Sequence, residues 1–264
     1  MGRPLKRELR RYHAAVERRI LGDRPIEWHL AEKVGDSSFF GMGIPSLWAE
    51  GGFTEEELEA TALATCGWWH HSLECTFDKL DWDWMAEHIK VYGVYLWDLC
   101  TAPILPFEFV SVADQFLTRF EQLREAGQCL GLSGAIERPE ALKEAAARLD
   151  VTAGRWSEKY RSSAEADEGP AELLNACIKR LSRLLVPMAS TAKGIYGHDT
   201  CAFTPQRTVI PCLYELPNLA RLPRDSEERW LLERQLVRER NRVTDALDDA
   251  CATIEQTLAR VQST

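Results

Sequence analysis

Apolar residues recur along this chain at helical spacings, interrupted by stretches with no rhythm. Leu5, Leu9, Tyr12, Val16 and Ile20 fall three or four apart and predict a first helix over residues 5–20. Gly22, Asp23, Arg24 and Pro25 end it. The apolar run 43–49, bounded by glycines, predicts a short buried strand, and Gly51 and Gly52 open the loop behind it. Thr54 ahead of Glu55, Glu56 and Glu57 predicts a helix N-cap, because its hydroxyl can take a free first-turn N–H while the acids complement the helix dipole. Residues 67–81 show no period and predict a loop. Residues 82–102 predict a buried helix. Trp82, Met85, Ile89, Tyr92 and Leu96 line one face of it, and Trp84, Val91, Tyr95 and Leu99 widen that face.

Pro103 and Pro106 mark a change of texture. Long helical periods follow over residues 110–126, 139–160, 170–186 and 226–261, with polar residues 162–169 parting the second from the third. A loop punctuated by Gly and Pro runs from about residue 193 to 223. In the last helix Val243, Leu247, Ala250, Ile254, Leu258 and Val261 stand in near-heptad spacing. The expected organisation is a small α/β piece over residues 1–105 and an all-α helical bundle over 106–264, predominantly helical overall.

Composition narrows the function. Of the 264 residues 45% are hydrophobic and 28% charged, enough to bury a sizeable core. The net charge of −9 disfavours a broad nucleic-acid-binding face, although Arg and Lys cluster in residues 3–19. No apolar run reaches the ~18–20 residues of a membrane span, and the basic N-terminus lacks the apolar core of a secretory signal. Eight cysteines lie far apart, with no C-x-x-C pair. Scattered thiols without a signal predict a reduced, cytoplasmic protein.

The segment 67–81 carries the densest chemistry. Trp68 and Trp69 lead into His70 and His71, with Glu74, Asp78 and Asp81 close behind. A histidine followed by carboxylates has the make-up of a metal ligand with an acidic outer shell. An isolated His-His pair is, however, more often a surface or packing pair. His13, His29, His88 and His198 stand alone and read as structural.

Residues 34–47, V-G-D-S-S-F-F-G-M-G-I-P-S-L, resemble the "S-D-x-x-x-F … G-I-P" passage of the zinc aminopeptidase superfamily. That superfamily includes glutamate carboxypeptidase and the transferrin receptor. Its next landmark resembles residues 69–81, W-H-H-S-L-E-C-T-F-D-K-L-D, which puts His71 at the position of the final zinc-ligand histidine. The 82–102 helix then corresponds to the one that closes the catalytic domain. In the second half, Tyr196-Gly197-His198-Asp199, Pro205-Gln206-Arg207 and Leu213-Tyr214-Glu215 resemble the loop before the last helix of the transferrin-receptor-like dimerisation domain.

This resemblance implies a zinc-dependent exopeptidase, of aminopeptidase or carboxypeptidase type. The other family ligands and the general base precede the "G-I-P" passage, and residues 1–33 hold no H-x-D and no Glu-Glu pair. The chain is therefore expected to be the C-terminal part of a metallopeptidase-like protein. It would have no catalytic residue of its own and a weak or absent zinc site, and would not be hydrolytic alone. An upstream-encoded half could complete it. Arg207 is the candidate for binding a substrate carboxylate. Cys75 stands where many family members carry an acid, and as a thiolate it would be a soft ligand. The alternative is a non-enzymatic helical dimerisation or binding module, which helical structure in residues 34–50 would favour. No nucleic-acid or membrane partner is expected. A homodimer through the helical half is, because the last helix outreaches its neighbours and would leave part of its apolar stripe exposed.

Overall fold

The last helix organises the molecule. In a computed structural model that describes residues 15, 16, 18–20, 22, 37–44, 54–60, 67–163, 167–197, 199 and 208–263, every regular element is helical. They are α1 (Ser37–Gly41), α2 (Glu55–Ala60), α3 (Trp82–Thr101), α4 (Val110–Leu123), α5 (Glu137–Ser162), α6 (Gly169–Ser190), α7 (Leu216–Leu219) and α8 (Glu227–Gln262), with short 3-10 turns between some of them. At 36 residues, α8 is about 54 Å long by its rise of 1.5 Å per residue. Ser226 caps it, accepting the Arg229 N–H at 3.2 Å on its side-chain oxygen.

Helix α8 packs on α6 and α5, and α4 packs on α5. One core cluster gathers residues from Ile104 to Val261, with Phe109, Phe116, Phe120, Leu142, Leu149 and Leu174 among its most deeply buried side chains. The turn from α5 to α6 is tied by Tyr160, whose hydroxyl donates to the Asp167 carbonyl at 2.5 Å and accepts the Ala171 N–H at 3.1 Å. The four long helices match the four long periods of the sequence: the first ends three residues early, the second and third extend by a few residues, and the last is shifted by one. Thr54 caps α2 as expected and forms a reciprocal box. Its N–H donates to Glu57 Oε2 at 2.8 Å, while its Oγ1 accepts the Glu57 N–H at 3.3 Å.

Three expectations need correction. Val243, Leu247, Ala250, Ile254, Leu258 and Val261 are all buried within this one chain. The overhang of α8 lies at its N-terminal end, where Trp230 and Leu231 are exposed, so the exposed stripe from which a dimer was expected is instead spent inside the chain. The second correction concerns α3. Only Val91 and Tyr95 are buried, while Trp82, Met85, Ile89, Tyr92 and Leu96 face solvent. The helix carries two apolar faces, parted on one side by Asp83, Glu87, Lys90 and Asp98, and the chain buries the face opposite the expected one. Third, the first helix belongs to the piece expected to be α/β. Its described part, Val16 with Ile20, packs on Val91 and Tyr95 of α3 instead, and Arg19 pairs with Asp98 at 3.5 Å.

Among the described residues there is no strand. Of the expected strand over 43–49, residues 45–49 lie outside the described residues. Ahead of it, Ser37–Gly41 is helical, and Phe40 is buried against Val186 of α6. Gly43 then takes φ 76° directly against the α6 backbone, where a Cβ would sit 2.3 Å from the Arg183 Cα. Only glycine suits both the left-handed turn and the close approach.

Two stability predictions follow from this packing. Leu247→Ala should cost about 2–5 kcal/mol in urea unfolding, by opening a cavity in the core. A variant that merely changed oligomeric state would show the stripe to be an interface instead. Gly43→Ala should cost about 2 kcal/mol or more, through left-handed strain plus the backbone clash. An unchanged melting temperature would contradict the docking of this turn on α6.

Candidate functional site

The loop from Gly67 to Asp81 is built from successive tight turns. Gly67 sits at φ 84° and accepts the His70 N–H on its carbonyl at 3.1 Å. The Trp69 carbonyl takes the Ser72 N–H at 3.0 Å and its hydroxyl at 2.7 Å, and the Ser72 Oγ accepts the Glu74 N–H at 3.2 Å. This winding leaves His71 in the left-handed region at φ 60°, a conformation histidine tolerates better than most residues. His70 and His71 are both exposed, with ring centroids 3.8 Å apart and planes tilted by 43°.

The acids expected behind the histidines have local work. Asp81 is the N-cap of α3, accepting the Trp84 N–H at 3.0 Å. Asp78 accepts from the Lys79 ammonium and from the Thr76 hydroxyl, and these bonds, Lys79 first, hold its carboxyl down at about 2. Glu74 is exposed, and Cys75 is an exposed free thiol. Among the described residues no group of three or more His, Cys, Asp or Glu is placed to hold a metal ion. His88, on α3, meets the edge of Trp84 at 5.7 Å. Arg207, the candidate substrate-binding residue, lies outside the described residues, as do His13, His29 and His198.

Of the dimerisation-loop landmarks, Asp199 is buried and structural. Its carboxylate accepts the Ala192 N–H at 2.9 Å and the Lys193 N–H at 3.1 Å, closing the turn after α6. Tyr196 is fully out in solvent. The turn preceding α7 brings a second polar group together. Cys212 is buried beside Arg242 and Glu239 of α8, which form an ion pair at 2.9 Å that is out of hydrogen-bond alignment. Burial pushes the Cys212 thiol up to about 12, against a smaller opposing pull from Arg242, which leaves it no use as a nucleophile.

Two surfaces remain among the described residues. Between α5 and α8 lies an open cleft of about 500 Å³, lined by Ala147, Val151, Thr152, Leu258 and Ala259. The exposed ion pair of Arg148 with Glu255 crosses it and saturates its charges. The other surface is the outer face of α3, where Trp82 is 58% exposed, Ile89 61%, Leu96 67% and Trp97 70%. The aromatic loop ahead of it adds Leu73 and Phe77, both largely exposed. This face was legible in the sequence as a stripe; what the stripe concealed was the side it faced.

Comparison with family models, with curated proteins and with solved structures finds no match.

The thiol environments are directly testable. At mildly alkaline pH a thiol reagent should modify exposed Cys75 and Cys129 in the native protein, while Cys177 and Cys212, both buried and both raised by burial, should react only on unfolding. Peptide mapping that finds Cys212 labelled as fast as Cys75 would contradict this.

Proposed function

We propose that this chain is a non-enzymatic helical binding module whose contact surface is the outer face of α3. The observation that carries the proposal is the row of exposed large apolar side chains on that single helix. A contiguous apolar patch of several hundred Å² on a soluble chain normally marks a contact site, because leaving it in water is unfavourable in proportion to its area. Trp and Tyr are also the residues that most often anchor interface centres, since one rigid side chain carries a large buried area. The described residues of the "G-I-P" passage favour the same reading, since Ser37–Gly41 is helical and docks on the bundle.

The zinc-exopeptidase reading, with this chain as the C-terminal part of a longer or split enzyme, makes opposite predictions. On the binding-module reading His71 stands on an exposed turn with His70 as its one candidate co-ligand among the described residues, and one or two histidines hold zinc weakly compared with the three or four ligands of a tight site. Purified chain incubated with zinc and then desalted should retain no stoichiometric metal. It should release no amino acids from peptides, and His71→Ala should change neither result. Stoichiometric zinc together with exopeptidase activity, both lost in His71→Ala, would restore the peptidase reading.

A further inference from the structure

The outer face of α3 has a finer order than a patch. Trp82, Met85, Ile89, Tyr92, Leu96 and Leu99 follow one another at intervals of three, four, three, four and three. That is the a/d seam of a coiled coil, which fits the side chains of another helix knob into hole. All of these residues except half-buried Leu99 are exposed. Ala86, Gly93 and Cys100 run beside the seam at intervals of seven, and a Cβ on Gly93 would meet no atom within 4 Å. A second helix backbone has room to approach there.

We propose that the occupant of this seam is a second copy of this chain, the two α3 helices packing antiparallel about a two-fold axis. The proposal rests on the binding-module reading above and names its partner. The seam closes on itself in that order. With the axis between Lys90 and Val91, Trp82 lies opposite Leu99, Met85 opposite Leu96, and Ile89 opposite Tyr92. Each aromatic side chain then meets an aliphatic one, and no seam position is left over. Charge selects antiparallel over parallel. Asp81 and Asp83 stand at the N-terminal end of α3, and its last turn holds no basic residue. Parallel packing would bring four carboxylates together and align the two helix dipoles, whereas antiparallel packing opposes the dipoles and sets Asp83 opposite Asp98, whose charge Arg19 offsets at 3.5 Å. The same acids, with Asp78, disfavour an anionic lipid surface as the occupant.

The area is sufficient. Taking ~150–250 Å² for a whole aromatic side chain, the exposed parts of the seam and Trp97 amount to on the order of 700 Å² per chain. Stable interfaces of standard size use about 600–1,000 Å² per partner.

Light scattering on the full chain decides the proposal. At micromolar concentration the mass should be about 60 kDa, twice the 30.0 kDa of one chain. The double variant Ile89→Asp with Leu96→Asp should raise the dimer dissociation constant ~100-fold or more, with an unchanged far-ultraviolet circular dichroism spectrum. Val151→Asp, an exposed position on α5, should leave the dimer intact. In the antiparallel order the two Cys100 residues lie on the order of 30 Å apart along the axis, so a short bis-maleimide should not join them. A dimer that survives the double variant, or one cross-linked through Cys100, overturns the proposal.

A monomer at all concentrations also overturns it, and anilinonaphthalene sulfonate then separates two failures. If the monomer binds the dye and the double variant does not, the seam is free and the binding-module reading stands without this partner. If the monomer binds no dye and the double variant melts several degrees lower, the seam is covered within the chain and both fail.

Discussion

Burial of one continuous apolar stripe on α8 is the condition the rest of the structure meets. A helix of 36 residues cannot hide its own apolar face, so α5 and α6 lie against it, and α4 closes over α5. Short-range devices then fix where each element begins and ends: Ser226 at the start of α8, Tyr160 across the turn into α6, and Asp199 behind that helix. Ion pairs such as Arg138 with Asp248 and Arg148 with Glu255 rim the α5–α8 seam, but both are exposed and pairs of this kind add little. The stability of the bundle is that of its apolar core.

Because this core consumes the stripe of α8, the surface available for contact lies elsewhere. Helix α3 stands outside the main core cluster, and its inner face is used by Val16 and Ile20. Its outer face keeps the more regular apolar pattern. Of the two apolar faces of this helix the chain covers one, which leaves the second available for the proposed contact. The loop ahead of α3 shares this division, with Asp81 spent on capping the helix while Trp68, Leu73 and Phe77 are exposed.

The long helices were legible because one-sided periodicity and polar breaks agree, as at Ser226 and at residues 162–169. The capping box of Thr54 and Glu57 was legible for the same reason, since donor and acceptor lie three residues apart. The orientation of α3 was not. Val91, Val94 and Tyr95 make a second apolar face, and spacing alone cannot say which face the chain uses. Asp81 was read as part of an acidic shell, although its position directly before a helical period is the signature of an N-cap. Asp199 carried no local signal, because its partners Ala192 and Lys193 lie across a loop. His71 drew attention by composition, yet a ligand set depends on residues distant in sequence, and the turns around it are satisfied by backbone bonds.

Hydroxyl-radical footprinting, read residue by residue and at two protein concentrations, tests the central claim most directly. In dilute solution Trp82, Ile89, Leu96 and Trp97 should be heavily modified, while Leu247, Ile254 and Val261 remain untouched. At high concentration the α3 residues should become protected and the α8 residues should not change. Protection of the α3 face already in the dilute chain, or modification of the α8 stripe, would contradict the account.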